Sequence, residues 1–118
     1  MIRVVLDVDA DGGLRRLDAT GHAPVLSGGV SLVCGAVSST LRSAARMLTE
    51  APGIRVSGSA PEAGALQLTV VEVDPDRREY LSGITALLMR NLQDLALDSP
   101  SEVAVEMRHS SVDDPGNI

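Results

Sequence analysis

The chain has 118 residues, enough for one domain with a core of its own. Ten basic and 16 acidic residues leave a formal charge of −6, and Tyr80 is the only aromatic residue. These numbers tell against a basic face for nucleic-acid phosphates and against stacking platforms for single strands. The acidic balance suits solubility or a basic peptide partner. Cys34 is the single cysteine, so no internal disulfide and no oxidising compartment is implied. The first residues, Ile2-Arg3-Val4-Val5-Leu6-Asp7, are too charged for a signal peptide, and no apolar run spans a membrane. The expected location is the cytoplasm.

Ile2, Val4, Leu6 and Val8 alternate with Arg3, Val5 and Asp7, which predicts a strand with one buried face. Asp9-Ala10-Asp11-Gly12-Gly13 is a turn signal, and Leu14 to Thr20 returns as the partner strand. The hairpin delivers the chain to Gly21-His22. Ala23 to Val30 carries Pro24, Gly28 and Gly29 and reads as a hinged loop over the site.

From Ser31 the period becomes helical. Val33, Val37, Leu41, Ala44 and Leu48 form one apolar stripe, and Ser31 is placed to cap the amide of Cys34. Pro52-Gly53 stops this helix. Ile54 and Val56 begin a strand, and Ala65 to Val73 is another, with Leu66, Leu68 and Val70 on one face. Asp74-Pro75-Asp76 starts a second helix with Asp74 as cap, and Leu81, Ile84, Leu88, Leu92 and Leu95 form its stripe. Ser99-Pro100 ends it. Val103, Val105 and Met107 make a last strand, and His109 begins a polar tail.

The expected fold is α+β: a small mixed or antiparallel sheet with two helices on one face, in the order β-β-α-β-β-α-β. One domain is expected over residues 1–108, with a tail over 109–118. The other sheet face is either solvated or buried against a second subunit, and Val5 on it favours the second.

Cys34 and His22 are the candidate catalytic pair. A thiol in the first turn of a helix lies at the positive end of the backbone dipole, which favours the thiolate. A histidine on a facing loop can take its proton or pair with it. A lone cysteine is often a small buried apolar residue. Here the capped helix start, the glycine-bearing loop and the upstream His22 weigh against that, and Cys34 falls at the margin of the stripe. Gly21 lets the backbone turn and aim the ring. Ser38 lies one turn below Cys34 on the same face. One Cys and one His do not make a closed ligand set, so no metal and no cofactor is expected.

Gly21-His22-Ala23, a short loop ending in Gly29, then Val33-Cys34-Gly35-Ala36-Val37-Ser38 resembles the ribosomal-processing cysteine proteases of bacteria, the Prp family. The resemblance extends over the element order from Met1 to about Met107. It implies a dimeric cysteine endopeptidase that removes the N-terminal extension of a large-subunit ribosomal protein, with His22 as general base and Cys34 as nucleophile. It also brings in Ser38 as a motif residue. Ser31 stands where the family has an Asp; it keeps the cap but not the charge, and Asp7, Asp9, Asp11 and Asp18 are possible replacements for an orienting carboxylate. Gly35 replaces the family's Ala and leaves room beside the thiol. Pro24-Val25-Leu26-Ser27 differs from the family's loop. A non-catalytic dimeric module associated with ribosome assembly is the alternative; a thiol redox protein is disfavoured by the lack of a resolving cysteine.

Overall fold

The structure, a computed structural model, describes residues 1–21, 32–59 and 65–109. Its elements are β1 (Ile2–Val8), β2 (Leu14–Thr20), α1 (Leu32–Glu50), β3 (Ile54–Ser59), β4 (Ala65–Val73), α2 (Arg78–Asp98) and β5 (Val103–His109). The order is the expected one. The strands form one sheet in the order β3-β4-β2-β1-β5. β5 lies parallel to β1, and every other pair is antiparallel, so the sheet is mixed.

The alternation in β1 works as read. Ile2, Val4, Leu6 and Val8 are all buried, and the first three meet both helices in a single core cluster. From α1 come Val37, Leu41, Ala44 and Leu48; Val33 packs at the edge. From α2 come Leu81, Leu88, Met89 and Leu92, with Ile84 and Leu95 at the margin. The α2 stripe also includes Thr85, 4% exposed, which hydrophobic spacing passes over. Its hydroxyl donates to the Leu81 carbonyl at 2.7 Å and accepts from the Leu14 amide at 3.0 Å. A buried amide that the sheet leaves unpaired therefore finds its acceptor on the helix.

Two irregularities explain side-chain directions that simple alternation misses. In the β1–β2 pair, Asp7 faces Arg16 while Val8 faces Leu14, so Arg15 is an extra residue. The parity of β2 changes there, and Leu14 and Leu17 are buried on the same side. In the β3–β4 pair, Arg55 faces Glu72 and Val56 faces Val70, which leaves Val71 as the extra residue. Val71 is accordingly 53% exposed.

Two boundaries differ from the expectation. Asp74 does not cap α2 with its side chain; a 3-10 turn over Pro75–Arg77 comes first, and Arg77 occupies the cap position of α2. The Asp74 backbone is engaged instead, its amide donating to the Gly53 carbonyl at 2.8 Å. The ladder between β1 and β5 continues one step further than the apolar alternation, so His109 pairs with Val8 and belongs to β5 rather than to a tail.

The sheet face away from the helices is charged. Val5 stands between Asp18 and Glu106, and Asp7 between Arg16 and Arg108. Arg16 Nε lies 2.7 Å from Asp18 Oδ2, and Arg108 Nε lies 2.9 Å from Glu106 Oε2. The hydrogen bond from Arg108 holds the Glu106 carboxyl below the usual carboxylate range. Val5 is thus a single apolar residue in a lattice of alternating charge, not the centre of an apolar patch. No helix among the described residues is long and apolar enough to cross a membrane.

Candidate active site

The hairpin ends where β2 reaches the start of β1. Gly21 follows Thr20 there with φ +97, a backbone conformation that side-chain-bearing residues rarely adopt. A Cβ at this position would collide with the Met1 carbonyl oxygen. Only glycine lets the chain leave β2 at this angle, and the next residue in sequence is His22. His22, Gly29 and Ser31 lie outside the described residues, as does the expected loop of residues 23–30.

Helix α1 begins at Leu32, so Cys34 is in its first turn. A first turn directs its amide N–H groups out of the helix, toward whatever binds at that end. Cys34 is half-buried and packs against the core cluster beside Val33. This is the marginal position that its offset from the stripe predicts. Ser38 is exposed one turn further along. Gly35 is exposed too, and a Cβ there would meet nothing within 4 Å among the described residues.

Cys34, Ser38 and Gly21 line one cavity of about 310 Å³. The wedge lies between α1 and the end of the sheet. Val37, Leu41, Arg42 and Ala45 complete its helical wall. Ile2 from β1, Ala19 and Thr20 from β2, and Ala65 and Leu66 from β4 form the other side. Motif spacing brings Gly21, Cys34 and Ser38 together, as expected. It does not reveal Ile2 or Leu66, because sheet pairing rather than local sequence carries them there. Arg42 had a detectable signal, since it follows Ser38 by four positions and so shares its face.

The four aspartates considered as orienting groups are placed elsewhere. Asp9 and Asp11 sit in the turn at the far end of the hairpin. Asp9 Oδ1 accepts from the Asp11 and Gly13 amides at 2.9 Å, and Asp11 pairs with Arg78. Asp7 and Asp18 face away from the helices, in the charged lattice. None of the four is among the described residues that line the Cys34 cavity. Among the described residues, no group of three His, Cys, Asp or Glu side chains gathers as a metal site.

A half-buried thiol in a helix's first turn, beside an apolar cavity and a glycine-fixed strand end, is an arrangement suited to nucleophilic attack on a peptide carbonyl. The chain resembles the S. aureus essential ribosomal processing protease Prp in complex with a covalently linked product peptide, with TM-score 0.77 and 18% identity over 92% of this chain and 100% of that one. The same S. aureus protease in complex with a substrate peptide gives TM-score 0.73 and 16% identity, over 92% and 100% of the two chains. SMU.848 from Streptococcus mutans gives TM-score 0.75 and 21% identity, over 93% and 96%. At these identities the likeness is one of fold. No curated protein matches the chain. The family model described as Cysteine protease Prp matches residues 1–104, and the chain therefore belongs to the Prp family of cysteine proteases.

Proposed function

We propose that this chain is the cysteine endopeptidase that trims the N-terminal extension of a large-subunit ribosomal protein during ribosome maturation. The observation that carries the reading is the family match over residues 1–104, together with Cys34 in the first turn of α1 at the mouth of an apolar cavity. The structural relatives include a ribosomal processing protease in complex with a substrate peptide.

In this mechanism His22 takes the Cys34 proton, and the sulfur attacks the scissile carbonyl carbon. Amides of the first turn, those of Cys34 and Gly35, stabilise the oxyanion. The amine of the mature protein leaves with the proton from His22. Water then hydrolyses the thioester, releasing the extension as a carboxylate and restoring the thiol. Gly21 is the positioning residue: its left-handed turn sets the direction in which the chain leaves β2, one residue before His22 in sequence. Ser31 brings no charge to this reading. Ser38 and Gly29 support the site, and the open space at Gly35 admits the substrate backbone.

The protein acts in the cytoplasm, as a homodimer, and without binding nucleic acid directly. The charged outer sheet face is a poor dimer surface. A better one is the groove of about 500 Å³ between α1 and α2, where Ser43, Met47, Tyr80, Gly83 and Leu87 line an apolar trough. Met47 and Leu87 are 47% and 62% exposed there.

The test is to incubate the host's ribosomal protein with the wild-type chain and with Cys34→Ala, then read fragment masses. A single cut within the extension by the wild type alone supports the reading. An intact protein after prolonged incubation with the wild type supports the non-catalytic alternative.

A further inference from the structure

Gly83 lies inside α2, where glycine weakens a helix relative to alanine. It is exposed, it is not among the glycines with positive φ, and an added Cβ would meet nothing within 4 Å among the described residues. Neither a turn nor a close approach within the described chain calls for it. Gly83 lines the trough of about 500 Å³ between α1 and α2. One turn further along the same face, Leu87 is 62% exposed. A hole and a knob stand side by side on one helix.

We propose that two copies of the chain pair α2 against α2, antiparallel, about a two-fold axis midway between Gly83 and Leu87, with each Leu87 seated over the partner's Gly83. This rests on the homodimer reading above and supplies its surface and register. A two-fold interface must be self-complementary, so that if one residue meets a second, the second meets the first. An axis level with Thr85 meets that condition for charge as well as shape. It sets Arg90 level with the partner's Tyr80 and beside the partner's Glu79, so each guanidinium gains a carboxylate and an aromatic neighbour. Glu79 and Arg90 are exposed and join none of the ion pairs among the described residues. Tyr80, with Arg77 over its ring at 5.4 Å, is still 38% exposed. On the α1 side of the trough, Ser39, Thr40 and Ser43 are short and leave a second helix room to approach. Side by side the two helices present a face of roughly 20 by 30 Å, comparable with the ~800 Å² per partner of stable complexes. Both Cys34 cavities stay open to substrate, because Val37, Ser38 and Leu41 line the cavity from another face of α1.

Sedimentation equilibrium at 50 mM salt tests the pairing, with circular dichroism to show that each variant is folded. Wild type is expected to be dimeric at micromolar concentration. Gly83→Gln closes the hole while raising helix propensity, and should raise the dimer Kd more than tenfold. Glu79→Arg and Arg90→Glu should each weaken self-association about tenfold, since each places two like-charged pairs across the axis. An equimolar mixture of these two variants should associate as tightly as wild type, because every pair is then matched. A dimer that Gly83→Gln and both charge variants leave unchanged overturns this surface, while the homodimer reading stands. A mixture no tighter than its components overturns the register. Wild type that stays monomeric at every concentration overturns both readings, and the trough is then a seat for a helix of another protein.

Discussion

Replacing Gly21 by Ala tests how the fold aims the site. Gly21 adopts φ +97, and an added Cβ would run into the Met1 carbonyl oxygen. The left-handed conformation alone costs a side-chain-bearing residue about 1–3 kcal/mol. The collision cannot be relieved by turning a side chain, because the opposing atom is backbone. That backbone is fixed: the Ile2 amide donates to the Glu102 carbonyl at 2.8 Å, and Arg3 pairs with Thr20 and Ala104. Relief requires loosening at least one such pairing, worth roughly 1 kcal/mol net. Gly21→Ala should therefore lose about 2–4 kcal/mol of stability, a melting temperature lower by roughly 10 °C for a domain of this size. Urea denaturation followed by circular dichroism measures it. Peptidase activity should fall further than the folded fraction does, since the exit of the chain from β2 beside the cavity is altered. A variant within about 0.5 kcal/mol of wild type and fully active would refute the argument that this turn demands glycine.

Other outcomes follow from single contacts. Gly35→Ala should stabilise the protein by about 1 kcal/mol in urea, because the helix gains propensity and the new methyl meets none of the described residues; a loss of kcat/KM in the same variant would show that the bare backbone at this position serves substrate. Thr85→Val should destabilise by about 1–3 kcal/mol, since it strands the buried Leu14 amide, whereas Thr85→Ser, which keeps the hydroxyl, should cost less. Glu106 titrates below its ordinary value in the folded state, so its contribution is full above the unfolded-state pKa and fades as pH falls through the folded one. Glu106→Gln should accordingly lower stability slightly at neutral pH, leave it unchanged below the folded-state pKa, and so flatten the acid limb of a stability-against-pH curve.

Much of the architecture is readable in the residues themselves. Strand alternation in Ile2–Val8 and the stripe on Leu32–Glu50 are local patterns, and burial follows them. The misses are places where a distant partner decides. Arg15 and Val71 are bulged because the opposing strand skips a residue, which no single strand reveals. Thr85 enters the core because the Leu14 amide, 71 positions away, needs an acceptor. Asp74 does not cap α2 because a 3-10 turn over Pro75–Arg77 intervenes and moves the cap position to Arg77. The same holds for the site. Gly21, Cys34 and Ser38 share a cavity as their spacing implies, but Ile2 and Leu66 arrive there only through the sheet. Asp7, Asp9, Asp11 and Asp18 looked equivalent as carboxylates near a histidine; sheet direction and the hairpin turn place all four away from the described cavity lining.

The central claim is that Cys34 is the nucleophile of a peptide-cleaving site. A peptide matching the released side of the cleaved bond and ending in a chloromethyl ketone tests it most directly. The account predicts one equivalent bound, mapped by mass spectrometry to Cys34, with activity lost in step with labelling and with protection by uncleaved substrate. Cleavage that continues undiminished with Cys34 fully labelled would contradict it.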